Sequence, residues 1–232
     1  MITLRKSEDR GQTKIDWLDS RHSFSFGDYY DPKHVNFGPL RVINEDWIAG
    51  GGGFQPHGHR DMEIVTYLID GALQHKDSVG GGGIIRPGEI QRMSAGVGIV
   101  HSEFNASRDR AAHLLQIWIT PAKSGLEPSY EQKAIAPEAV HNTFARIAGP
   151  DPTEGEVRLV QDAEIWAAKL DQNVIAEHSL ATGRRAWVQL VSGDLELGGT
   201  ILKPGDAAAI TGESEVRVRA LAPSEVLLFD MA

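Results

Sequence analysis

Two short segments concentrate the residues that can do metal chemistry. In Gln55-Pro56-His57-Gly58-His59-Arg60-Asp61-Met62-Glu63 two histidines stand at i and i+2 with a glutamate four residues on, and His101-Ser102-Glu103 repeats the i, i+2 spacing with a histidine and a carboxylate. Side chains two apart in an extended strand share a face, so His57 projects with His59 and His101 with Glu103. If two such strands face one another, three imidazoles and a carboxylate converge. That donor set suits Fe(II), Mn, Ni, Cu or Zn and leaves coordination positions for a substrate or dioxygen. Either pair alone is a weak signal, since polar strand ends arise by chance; the combination carries the reading. Glu63 competes with Glu103 for the carboxylate role, because an unbroken strand would put it on the face of His57 and His59.

Composition narrows the chemistry. The 232 residues include nine histidines and no cysteine, which excludes disulfides, thiolate zinc sites, iron–sulfur clusters and CxxC redox pairs. With 23 basic against 32 acidic residues the net charge is −9, and no basic run exceeds two residues, as at Arg184-Arg185, so nucleic acid is not expected as a ligand. No apolar leader opens the chain, and no apolar run is long enough to span a bilayer. The expectation is a cytoplasmic protein without membrane contact.

The elements that must position these residues read as strands. RVINEDWI, EIVTYLI, AHLLQIWIT, AWVQLV, EVRVRAL and EVLLFD are short β-branched or alternating runs, separated by Gly, Pro and Asp at intervals of roughly ten residues. This predicts an all-β fold with few short helices, the best helical candidate being PEAVHN from Pro137. A phrase also occurs twice: Leu68-Ile69-Asp70-Gly71 leads to Ile85-Arg86-Pro87-Gly88, and Leu190-Val191-Ser192-Gly193 leads to Leu202-Lys203-Pro204-Gly205. The repeat predicts two β-barrel domains, residues 1–130 and 131–232, able to cover their own faces in a monomer. Counting from the repeated Gly and Pro, His57 corresponds to Ser179, His59 to Ala181, His101 to Val218 and Glu103 to Ala220, so only the first barrel keeps a metal site.

Other features carry less. The glycine runs Gly50 to Gly53 and Gly80 to Gly83 lack the Gly-Lys-Ser/Thr of a phosphate loop and read as turns, the first also letting backbone approach the site. His22, among Phe24, Phe26, Tyr29 and Tyr30, is either a pocket wall or loop packing. Gln116 alternates with Leu114 and Trp118 and so faces a barrel interior, as a substrate contact or a buried amide. His34, His75, His113 and His141 read as ordinary loop or strand residues.

The first segment resembles the first motif of the cupin superfamily through Gly51, His57, His59, Glu63 and Gly71, and His101 with Asn105 matches the end of the second motif. More narrowly, LDSRHSFSFGDYYDP, LRVINED, HGHRDMEIVTYLIDG, QRMSAGVGIVHSEFN and LLQIWI are similar to the pirin family, especially its bacterial quercetinase-like branch. The resemblance implies a bicupin of two double-stranded β-helix barrels, with one divalent metal held in the N-terminal barrel by His57, His59, His101 and Glu103. Fe(II) ranks first, with Zn, Cu, Ni, Co or Mn as alternatives. It further implies a quercetin 2,3-dioxygenase-like oxidoreductase that cleaves a flavonol or another small enolic aromatic with O2 and releases carbon monoxide, Glu103 serving also as the catalytic base. The alternatives are a non-enzymatic metal- or redox-sensing regulator of the pirin type and another cupin enzyme, such as a sugar-phosphate isomerase.

Overall fold

The computed structural model describes residues 1–232. Twenty-two strands and one 3-10 turn, Ser7–Asp9, account for its regular structure. There is no α-helix: the PEAVHN stretch is a turn in which Asn142 takes a φ of 61°, incompatible with continued helix. No helix is long and apolar enough to cross a membrane.

The chain forms two compact units. In the unit of residues 11–134 and 157–161, one sheet runs in the order Ser129–Ala134, Glu89–Ser94, Glu63–Asp70, Ala112–Ile119, Leu40–Ile48, Leu18–His22, Gly11–Ile15. A second sheet has the order Gly53–His59, Ile99–Asn105, Leu73–Asp77, Gly82–Ile85. Period-two alternation puts Ile64, Thr66 and Leu68 on one face of their strand and Leu114, Gln116 and Trp118 on one face of the neighbouring strand. Leu68 and Leu114 join Leu18, Ile48, Leu73 and Ile85 in one apolar cluster, while Ile64 packs with Met93, Ala95 and Ile99 in another. Thr66 and Gln116 lie between the two clusters along their strands, so a polar layer is held inside an apolar frame.

The other unit comprises residues 1–10, 135–156 and 162–232. Its larger sheet runs Ile2–Arg5, Ala207–Thr211, Arg185–Ser192, Ser224–Met231, Ala163–Leu170, Ala145–Gly149, and its smaller one Ile175–Ser179, Glu215–Ala220, Leu195–Leu197, Thr200–Leu202. Apart from the edge strand Ile2–Arg5, the two units therefore place their strands in the same order. A cut at residue 130 differs from this partition at both ends: Ile2–Arg5 pairs with Ala207–Thr211, and Ser129–Ala134 pairs with Glu89–Ser94. The first strand of the chain thus fills in one barrel the sheet position that Ser129–Ala134 fills in the other, an exchange no local pattern reports.

The ladders also correct the positional comparison. Leu73 pairs with Ile85 and with Asn105, and Leu195 pairs with Leu202 and with Ala220, so Ala220 matches Asn105. Counting back, Val218 matches Glu103 and Val216 matches His101; His178, paired with Val216, then matches His57, and Leu180 matches His59. The proline-based count fails by two because the connection between Ala207–Thr211 and Glu215–Ala220 is shorter than that between Glu89–Ser94 and Ile99–Asn105. By the same registers Thr66, Gln116, Asn44 and Asp46 match Val188, Leu228, Trp166 and Ala168. Nearly every polar position of the first barrel's interior is therefore apolar in the second, where Ala168, Leu180, Val188, Val216, Val218 and Leu228 are members of one dry core.

Candidate metal centre

His57 and His59 come from Gly53–His59, and His101 and Glu103 from the neighbouring strand, with His57 directly opposite His101. A β-bulge sets Glu103 opposite Phe54, so that Gly53–His59 carries one extra residue against His101 to Glu103. Gly53 permits this close approach: a Cβ there would lie 2.4 Å from the Glu103 carbonyl oxygen. The three rings cluster, with centroids 4.8 Å apart for His57 and His59, 4.5 Å for His57 and His101, and 4.8 Å for His59 and His101. One potential ligand atom from each of His57, His59 and His101 falls within 4.8 Å of the others, and the same holds for His75, His101 and Glu103. The cluster is able to bind a metal.

Its proton arrangement supports that capacity. His57 Nδ1 donates to the Gln55 carbonyl at 2.7 Å, which leaves Nε2 as a lone pair. That atom is 3.1 Å from His101 Nε2. Burial and the neighbouring His57 hold the His59 pKa down at about 4, and burial with the surrounding histidines holds His101 down at about 2. Neutral imidazoles presenting nitrogen lone pairs to a common point are what a borderline divalent cation requires.

Glu103 is buried, and burial, with Asp46 adding, pushes its carboxyl up to about 7 against the opposing effects of Gln116 and Thr66. Gln116 Nε2 donates to both carboxylate oxygens, at 3.2 and 3.0 Å, and the Thr66 hydroxyl donates at 3.4 Å. Gln116 is thus a buried amide whose partner is Glu103, and it also lines the cavity described below. Glu63 is excluded from this cluster. Asp61 takes a φ of 47°, a turn that resets the strand alternation, and Glu63 accepts a hydrogen bond from Ser94 and lies near Arg92 on the opposite face from Ile64 and Thr66.

The cluster lines a cavity of about 320 Å³. One wall is apolar and aromatic, formed by Phe26, Phe54, Ile64 and Trp118; the Trp118 ring stands edge-on to His59 at 4.9 Å. The other is polar: Thr13 bonds His22 at 2.8 Å, His22 Nδ1 donates to Asn44 at 2.8 Å, and Ser20 donates to Asp46 at 2.5 Å. His22 is therefore a wall residue. Burial and the adjacent Glu45 push the Asp46 carboxyl up to about 7. Asn44 and Asp46 were not singled out from sequence; two polar residues at alternate positions of an otherwise apolar strand were the available signal. In the other unit, His178 bonds Asp230 at 2.8 Å and packs on Trp166, with no second imidazole beside it.

Comparison with known proteins agrees with this geometry. A family model described as Pirin matches residues 3–119, and one described as quercetinase C-terminal cupin domain matches residues 146–231. The chain is 43% identical over 233 residues to the quercetin 2,3-dioxygenase of Escherichia coli (strain K12), covering all of this chain and 99% of that one. A crystal structure of YhhW from Escherichia coli superposes with a TM-score of 0.96 at 43% identity, covering 100% of this chain and 98% of that one. A crystal structure of the bacterial pirin YhhW from Escherichia coli in complex with nickel(II) superposes with a TM-score of 0.94 at 42% identity, covering 100% and 99%.

Proposed function

From a chain that belongs to the pirin family, a bicupin with a histidine and glutamate cluster in one barrel, we propose a metal-dependent dioxygenase of the quercetin 2,3-dioxygenase type. The carrying observation is that His57, His59 and His101 converge and, with Glu103, line a cavity whose other walls are flat aromatic rings and neutral or acidic polar groups. No lysine or arginine lines it, which disfavours the phosphate-bearing substrate of an isomerase. Its volume sits at the lower end of the range of about 300–1,000 Å³ for small-molecule sites, matching one planar aromatic ligand. The name of the Escherichia coli relative supports the same substrate class.

In this reading His57, His59, His101 and Glu103 hold the metal, with Fe(II) and Ni(II) the first ions to load. The bound ion supplies Lewis acidity toward an enolic hydroxyl and an open position for dioxygen. Glu103 takes the proton from that hydroxyl, held for the task by Gln116 and Thr66. Phe26, Phe54 and Trp118 orient the ring system and exclude water. The test is turnover of a flavonol by protein loaded in turn with Fe(II), Ni(II), Co(II), Cu(II) and Mn(II); carbon monoxide and a depside product are expected, and their absence with every metal would refute the assignment.

Two further results are expected. A carboxyl held near 7 must lose its proton to bind a cation, whereas His59 and His101 are already neutral. Metal affinity is therefore expected to rise at least about tenfold per pH unit below pH ~7 and flatten above it, with at least one proton released per ion on the acid side. Calorimetry in buffers of different ionisation enthalpy measures this, and Glu103→Gln removes one released proton per ion. Asp46→Ala is expected to raise KM for a polyhydroxylated flavonol by about 10–100-fold, the worth of one charge-assisted hydrogen bond, with metal content unchanged; an unchanged KM in steady-state kinetics would remove Asp46 from the ligand wall.

A further inference from the structure

We propose that Asp77 and His75 form a relay that fixes the tautomer of His101 and so aims its Nε2 lone pair at the metal. The proposal rests on the metal-holding role of His101, and is independent of which reaction the centre performs.

The second group of potential ligands, His75 with His101 and Glu103, shares His101 with the first, and the hydrogen bonds decide how the two groups divide their work. His75 Nε2 lies 3.1 Å from Asp77 Oδ2, both side chains being fully buried. A carboxylate only accepts, so His75 donates from Nε2 and presents Nδ1 as the lone pair of that tautomer. That lone pair faces His101 Nδ1 at 3.4 Å. His101 then carries its proton on Nδ1, and its Nε2 is free on the side of His57. His75 is in consequence a positioning residue, its ring stacked on Tyr130 at 4.9 Å and 29°.

Asp77 is itself held. Its Oδ1 accepts the backbone N–H groups of Val79 at 3.0 Å and Gly81 at 2.8 Å, so Oδ2 must turn to His75. A Cβ on Gly81 would lie 2.3 Å from Oδ2. The second glycine run, with no phosphate to bind, thus wraps a buried carboxylate. In the other barrel the ladders match His75 with Leu197, after which the chain turns at Gly198-Gly199 into Thr200–Leu202 and supplies no carboxylate. The relay is missing where His59, His101 and Glu103 are missing, although the barrel there is complete. The fold does not need it.

The test uses Asp77→Asn in the full-length protein. The two backbone donors keep the amide oxygen where Oδ1 is, so the amide nitrogen faces His75 as a donor and reverses both tautomers. Zn(II) affinity, read by competition with a chromogenic chelator, is expected to fall about 10–100-fold. His101→Ala serves as the control: if it leaves Zn(II) affinity intact, the metal-holding reading itself fails. If it weakens binding while Asp77→Asn binds as tightly as the unmodified protein, the relay is overturned and the metal centre stands. Imidazole 15N NMR of the unmodified Zn(II)-loaded protein decides the matter without any substitution. His75 protonated on Nε2 supports the relay, and His75 protonated on Nδ1 overturns it.

Discussion

His101→Ala is expected to lower metal affinity by well over 100-fold and flavonol turnover by at least the same factor. Loss of an outer partner of a metal ligand already costs about 10–100-fold, and loss of the ligand itself must exceed that. His101 is also the ring on which the cluster converges, since His57, His59 and His75 all contact it. Folding should survive, because the backbone of His101 keeps its pairing with His57 and Asp77. The stability cost in the metal-free protein should fall at or below the low end of the roughly 2–5 kcal/mol typical of large-to-small core changes. The substitution removes a ring whose Nε2 lies 3.1 Å from that of His57. Metal titration by chelator competition, with circular dichroism of the metal-free protein, checks both halves.

Copying the second barrel into the first is expected to separate stability from function. Thr66→Val, Glu103→Val and Gln116→Leu together install the residues found at the matching positions, Val188, Val218 and Leu228. Glu103 is a buried carboxyl far from its ordinary range, and Gln116 and Thr66 spend their polar atoms on it. Replacing such a set by apolar side chains of similar volume is neutral or stabilising by up to about 4 kcal/mol. The thermal midpoint should rise by roughly 2–4 °C for each kcal/mol while turnover disappears. Glu103→Val alone should have the opposite sign, destabilising by about 1–3 kcal/mol, because the Gln116 amide is left without its acceptor. A scanning calorimeter distinguishes these signs. If the triple variant is less stable than the single one, the polar layer is structural and its cost has been misjudged.

Much of this was legible in the sequence, for identifiable reasons. Strands such as Glu63–Asp70 and Ala112–Ile119 alternate or are continuously β-branched, and the Gly and Pro landmarks repeat because both barrels use the same hairpin and turn. The i, i+2 spacing exposed His57, His59, His101 and Glu103 as donors that share faces. What escaped depended on breaks in alternation and on loop length. The positive φ of Asp61 turned Glu63 away from the cavity, and a shorter connection in the second barrel displaced the count that paired His101 with Val218. His75 reads as ordinary, and Asp77 is not singled out, because their partners come from a loop and from a strand distant in sequence. Asp46 and Asn44 escaped because a polar pair within an apolar strand tells of burial only once the neighbouring strands are in place.

The central claim is one metal, in the first barrel, on four named side chains. Anomalous X-ray diffraction at the nickel edge from crystals of nickel-loaded protein tests it directly. The account predicts a single strong peak per chain between His57 Nε2 and His101 Nε2, within bonding distance of His59 and Glu103. A peak beside His178 in the second barrel, or none in the first, would contradict it.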